Sequence, residues 1–241
     1  MRSDRCADVN GEFRVTVADE RRADEDQGTA AGAQPEPEQR TTSVAPPGSY
    51  RMITPTDWFR IPLRNERKRV NAVQSLVDIT YPKRDDLATK RHELRELLTQ
   101  IADKAVSQVG IELYLSTQSV FGIPIPASLL VTAEPEDPSV PGVLPVQMLA
   151  DGIKDKYKEN ADVTVVKLAI GEVVRCRRKE LTAESKELGQ PEERPNTLLD
   201  FYLPVPNSGA WMVLSFSTPL IEVADAQVEM FDAIAGTFRW S

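Results

Sequence analysis

Histidine occurs once in this chain and cysteine twice, and long apolar runs do not occur at all. Each shortage removes a class of chemistry. A Ser–His–Asp or Cys–His constellation needs a buried, oriented imidazole. His92 stands in KRHELRE among charged residues, off the apolar stripe of its helix, so no catalytic residue of that kind is expected. One histidine and two distant cysteines offer no ligand spacing for a metal. Neither G-x-G-x-x-G nor the G-x-x-x-x-G-K pattern is present, so nothing signals a phosphate-cradling loop and no cofactor is expected. Carboxylates do cluster (EDP, PEE, RDD), but in loops and caps where solvation explains them. Cys6 and Cys176 lie in such different surroundings that a bond between them would tie down little, which suggests a reducing compartment. No stretch reaches the ~18 apolar residues of a membrane-spanning helix. The opening MRSDRCADVNGEFRVTVADE has no apolar core of a secretory signal. The expected location is therefore cytoplasmic, without membrane insertion. A formal net charge of -8 disfavours a general nucleic-acid binder, which needs a basic surface.

What is present divides the chain in two. Residues 1–49 are poor in aromatics and rich in Asp, Glu, Gln, Ala and Pro. Such a segment cannot bury enough apolar surface to offset the entropy of ordering, and we expect a disordered acidic arm. Its one alternating stretch, EFRVTV, could add to a sheet edge. Apolar and aromatic residues then arrive together at YRMITPTDWFRIPL, opening a single domain over 50–241.

The first strand falls at 57–63, confined to an edge or end by Pro55 and Pro62. A helix from Arg64 to about Ile79 carries Val70, Val73 and Val77 on one stripe with Leu76 beside it. A second runs from about Asp86 to Gln108 on Leu87, Leu94, Leu98, Ile101 and Ala105, with Gly110 ending it. Strands follow at IELYLST and IPASLLVTAE. The proline-rich loop EPEDPSVPG leads to a short helix in LPVQMLADGIKDKYKEN. DVTVVKLAIG changes apolar parity midway, as a bulge would cause, and Gly171 marks a turn. After the polar connection TAESKELGQPEERPN, the runs TLLDFYLPVP and AWMVLSFSTP around NSG form a hairpin supplying central strands. The last helix presents Ala224, Val228, Phe231 and Ala235, and TFRW returns as an edge strand. The fold class is α+β: a mostly antiparallel sheet with helices packed on it.

Candidate binding residues come from charge and aromatics. RNERKR places Arg64, Arg67, Lys68 and Arg69 at a helix start, against the helix dipole, so an acidic partner surface or the acidic arm is a plausible counterweight. RCRRK (Arg175, Arg177, Arg178, Lys179) reads as edge charges that block sheet-to-sheet pairing. Tyr114 and Trp211 alternate against the main apolar sets of their strands. Left uncovered by helices, they would form an exposed patch marking an interface.

LLDFYLPVPNSGAWMVLSFSTPL followed by FDAIAGTFRW resembles the PsbP-like α/β sandwich superfamily, and PTDWFRIPL is similar to the opening strand of its actinobacterial LpqN- and DcrB-like members. The resemblance implies that sandwich fold and a non-enzymatic binding, adaptor or chaperone-like role with a protein partner. The chain departs from the lipoprotein branch in lacking a signal and lipobox, and in carrying a two-helix insertion over 64–109. The competing expectation is a small-molecule binder or enzyme with a pocket between sheet and helices. A weaker third is an anionic-ligand or nucleic-acid binder using the basic clusters.

Overall fold

The computed structural model describes residues 47–136, 144–181 and 195–241. The acidic arm up to residue 46, its EFRVTV stretch, most of EPEDPSVPG and nearly all of TAESKELGQPEERPN lie outside the described residues.

Alternating apolar residues build seven of the strands into one antiparallel sheet. In chain order these are β2 (Trp58–Pro62), β3 (Gly110–Ser116), β6 (Ser128–Glu134), β7 (Ala161–Leu168), β8 (Gly171–Glu180), β9 (Asn196–Pro204) and β10 (Trp211–Thr218), with spatial order β2-β3-β6-β10-β9-β8-β7. The expected C-terminal hairpin is central, and the strand ending on Pro62 is an edge. Two short pairs stand apart from that sheet: β1 (Tyr50–Arg51) with β11 (Arg239–Trp240), and β4 (Ser119–Val120) with β5 (Ile123–Pro124). TFRW therefore does not edge the main sheet. It closes the domain on its own beginning, with the Ser241 amide donating to the Ser49 carbonyl at 3.0 Å.

Helices cover both faces. On one side α4 (Ala224–Gly236) sets Val228, Phe231, Ile234 and Ala235 against Leu129, Val131, Leu199, Phe201, Leu214 and Phe216. Phe216 and Phe231 stack at 4.8 Å, and Trp58 meets Phe231 edge-on at 6.1 Å. On the other side α1 (Glu66–Thr80) and α2 (Ala88–Ser107) cover Ile61, Leu63 and Leu113. Farther along that face, α3 (Val146–Tyr157) covers Val163, Val174 and Cys176. Val70 is exposed, so the α1 stripe narrows to Val73, Leu76 and Val77.

Three local readings change. β7 and β8 pair in unbroken register from Ala161↔Arg178 to Leu168↔Gly171, so there is no bulge in β7. The parity change arises because both faces of β7 are covered: Val163 and Val165 meet the α3 layer, Val166 and Leu168 the α4 layer. The bulge lies instead in β3, between Gly110 and Glu112. Gly110 does not end α2 through a left-handed backbone; Val109 takes that conformation at φ 59°. Gly110 is glycine because a Cβ there would lie 2.4 Å from the Ala105 carbonyl oxygen and 2.6 Å from Leu63 Cδ1. Finally, β8 is paired on both sides, so its arginines do not guard an edge. Arg175 forks onto Asp232 at 2.7 and 2.9 Å and Arg177 bonds Asp225, tying β8 to α4. Arg178 points to the opposite face.

Candidate functional site

A cleft of about 1040 Å³ opens where the terminal pair β1–β11 meets the end of the main sheet. Its apolar surface includes Met52, Pro62, Ile111, Met212 and Trp240. Its charged residues are Arg51, Arg60, Arg64, Lys68 and Arg239 against one acid, Glu112.

The β3 bulge sets the register that turns Glu112 toward the α4 face, paired across from Val131 and next to Tyr114. Glu112 is buried, and three donors hold its carboxylate. The Tyr50 hydroxyl donates to Oε2 at 2.8 Å, the Tyr114 hydroxyl to the same oxygen at 2.7 Å, and Arg60 to Oε1. Burial foremost, then the Glu112 charge and hydrogen bond, push both phenols well above the ordinary tyrosine range. Burial pulls the Arg60 guanidinium down, but its hydrogen bond and charge pairing with Glu112 outweigh that and leave it raised. The phenols therefore remain protonated donors. Both carboxylate oxygens are engaged, an arrangement that fixes this wall of the cleft. Glu112 thus ties β1, β2 and β3 into one rim.

The residues named from sequence separate here. Arg64 and Lys68 line the cleft, flanking Asn65, whose side chain caps α1 by accepting from the Lys68 amide at 3.0 Å. Arg51, Arg64 and Lys68 form no ion pair among the described residues. Arg69 turns inward to the Leu63 carbonyl at 3.0 Å and to Asp103 at 3.3 Å. Arg67 is exposed and does not line the cleft. Tyr114 is 8% exposed and forms part of the cleft floor. Trp211 is 7% exposed and on the other face of the sheet, because its neighbour Met212 shares the Tyr114 side. These two aromatics do not make a common exposed patch. Glu112, Arg60 and Tyr50 are not among the candidate residues that charge runs and aromatics single out. The available signal was an acid inside the apolar strand GIELYLS, which must find donors when buried.

A second buried ionic cluster lies on the opposite face. Asp200 of β9, 4% exposed, accepts from Arg178 of β8, which also bonds Glu180 at 3.0 Å and covers the Tyr157 ring at 4.9 Å. Burial raises the Asp200 carboxyl while Arg178 pulls it down. Burial also raises the Cys176 thiol, which disfavours the thiolate a nucleophile needs. Asp200 is buried between the strands, and its pairing with Arg178 reads as structural.

No described helix is long and apolar enough to cross a membrane. No family model and no curated protein matches the chain. Two solved structures align with most of it. LpqN of Mycobacterium tuberculosis, described as involved in cell envelope biogenesis, shares 9% identity with a TM-score of 0.41, over 79% of this chain and 82% of that one. Cyanobacterial PsbP (CyanoP) from Synechocystis sp. shares 11% identity with a TM-score of 0.38, over 80% of this chain and 86% of that one.

Proposed function

We propose that this domain is a non-enzymatic, cytoplasmic binding or adaptor module that takes an acidic segment of a partner protein in the cleft beside β1. The observation that carries this reading is the trio Arg51, Arg64 and Lys68, without acidic partners among the described residues, beside an apolar floor in a chain of net charge -8. Cations held near apolar surface favour an occupant that combines carboxylates with apolar side chains, and charge complementarity speeds its arrival. The protonated Tyr50 and Tyr114 and the engaged Glu112 make the floor a fixed surface.

A labelled glutamate-rich peptide containing one aromatic residue tests this by fluorescence anisotropy at low ionic strength. The full chain is expected to bind it, with affinity falling as salt is added. The triple charge reversal Arg51→Glu, Arg64→Glu, Lys68→Glu is expected to weaken binding by about tenfold or more. Arg67→Glu, next to Lys68 in sequence but off the cleft, should leave binding within about twofold. Equal losses from Arg67→Glu and the triple variant would reduce the effect to net charge and remove the cleft from the account.

A further inference from the structure

The β3–β6 hairpin runs past the main sheet and ends in the short pair β4–β5. Ser119 faces Pro124 and Val120 faces Ile123 around the two-residue turn Phe121–Gly122. Both turn residues have positive φ, 52° and 79°. Asn, Asp or Gly usually fill the first position of such a turn: a Cβ is disfavoured there, glycine has none, and the short polar side chains of Asn and Asp offset the cost by bonding the local backbone. Here it is a phenylalanine with 101% relative exposure, flanked by Ile123 at 65% and Val120 at 45%. From Thr117 to Ser128 the sequence TQSVFGIPIPAS contains no charged residue, in a chain that is 27% charged. A local turn requirement does not explain an aromatic at that apex, and neither does the core.

We infer that this hairpin tip is a peripheral contact for a neutral lipid surface, with Phe121 entering the interfacial region and Val120 and Ile123 following. Size and chemistry favour lipid over a protein pocket. The three exposed side chains offer roughly 400 Å² of apolar area, counting one aromatic and parts of two aliphatics. A stable protein interface takes about 800 Å² from each side and commonly adds Tyr, Trp or Arg anchors and hydrogen bonds. The tip has no directional group at all, whereas a bilayer needs none. Its collar of Thr117, Gln118 and Ser119 is polar and uncharged, suited to the headgroup layer. The turn Ile221–Val223 lies at the same end, since the Thr218 hydroxyl donates to the Pro126 carbonyl at 3.1 Å; Ile221 and Val223 there are partly exposed. No cation on the hairpin adds attraction, and the chain's net negative charge opposes anionic lipid. Binding is therefore weak and reversible, as expected of a single small apolar anchor.

The test is cosedimentation of the full chain with phosphatidylcholine vesicles, and with vesicles that also contain phosphatidylglycerol. The expected result is partial sedimentation with phosphatidylcholine, reduced by the anionic lipid. Phe121→Asp should lower the bound fraction by about tenfold or more without lowering the melting temperature, because the side chain touches no core and Asp suits the positive φ of the turn. Phe121→Trp should keep binding, and its emission should shift to the blue when vesicles are added. Three results would overturn the inference: no vesicle-bound protein, equal binding by Phe121→Asp, or binding that appears only with anionic lipid and vanishes in salt. Phe121-dependent retention of a purified protein partner without vesicle binding would assign the tip to a pocket instead.

Discussion

Arg178→Met is expected to destabilise the domain by about 3–5 kcal/mol, and the penalty should grow as the pH rises. Arg178 and Asp200 lie on neighbouring strands that are each paired on both sides, and both side chains are largely buried. Methionine fills much of the arginine volume, so the loss is mainly electrostatic. In the native domain burial raises the Asp200 carboxyl, and Arg178 is the first of the influences lowering it. Without Arg178 burial is opposed chiefly by the Ser215 hydrogen bond, so the folded carboxyl titrates well above its unfolded value of 3.8. A raised folded value means that stability is greatest below the unfolded value and falls as pH climbs through the folded one. Urea unfolding of the variant should therefore give a lower midpoint at about pH 8 than at about pH 5, more so than for the native chain. Adding Asp200→Asn should recover much of the loss, because a neutral amide no longer needs the charge partner. A variant with native stability at both pH values would show that water or another donor already satisfies Asp200.

Glu112→Ala is the second large effect, expected to cost about 2–4 kcal/mol and to loosen the cleft. Two phenol hydroxyls lose their shared acceptor, and each buried unsatisfied donor costs about 1–3 kcal/mol. Arg60 is mostly exposed and adds little. Tyr50 is the side chain that ties β1 to the sheet through Glu112, so peptide binding should weaken along with stability. Glu112→Gln keeps one acceptor and should fall between. The phenols provide a separate readout. Their folded values are raised above the ordinary 10.0, so the native domain keeps this contribution below about pH 10 and loses it as the pH rises further. Burial still raises both phenols in Glu112→Ala, but the carboxylate's share is gone. An ultraviolet titration should therefore show Tyr50 and Tyr114 ionising at lower pH than in the native chain. An unchanged titration would mean that burial alone sets those phenols.

Elements whose physics is local were legible in the residue order alone. Period-two alternation located the central hairpin of TLLDFYLP and WMVLSFST, and Asn207 takes the positive φ, 58°, that its turn needs. Helical spacing located α1, α2, α3 and α4 to within a few residues. The α+β class followed from their order. Three kinds of information were not local. Whether a strand is covered on one face or two depends on helices distant in sequence, and so the two-sided burial of β7 looked like a bulge. Whether an arginine is edge, core or site depends on what stands opposite: the arginines of RCRRK pair with Asp232, Asp225 and Asp200 of the same domain, while RNERKR divided into cleft-lining Arg64 and Lys68, inward Arg69 and outlying Arg67. The cleft itself required β11 to return to Tyr50, bringing residues from opposite ends of the domain beside Glu112. Periodicity reports which face a side chain takes. Only the packed chain decides what that face meets, because burial, charge pairing and desolvation are properties of neighbours that the sequence holds far apart.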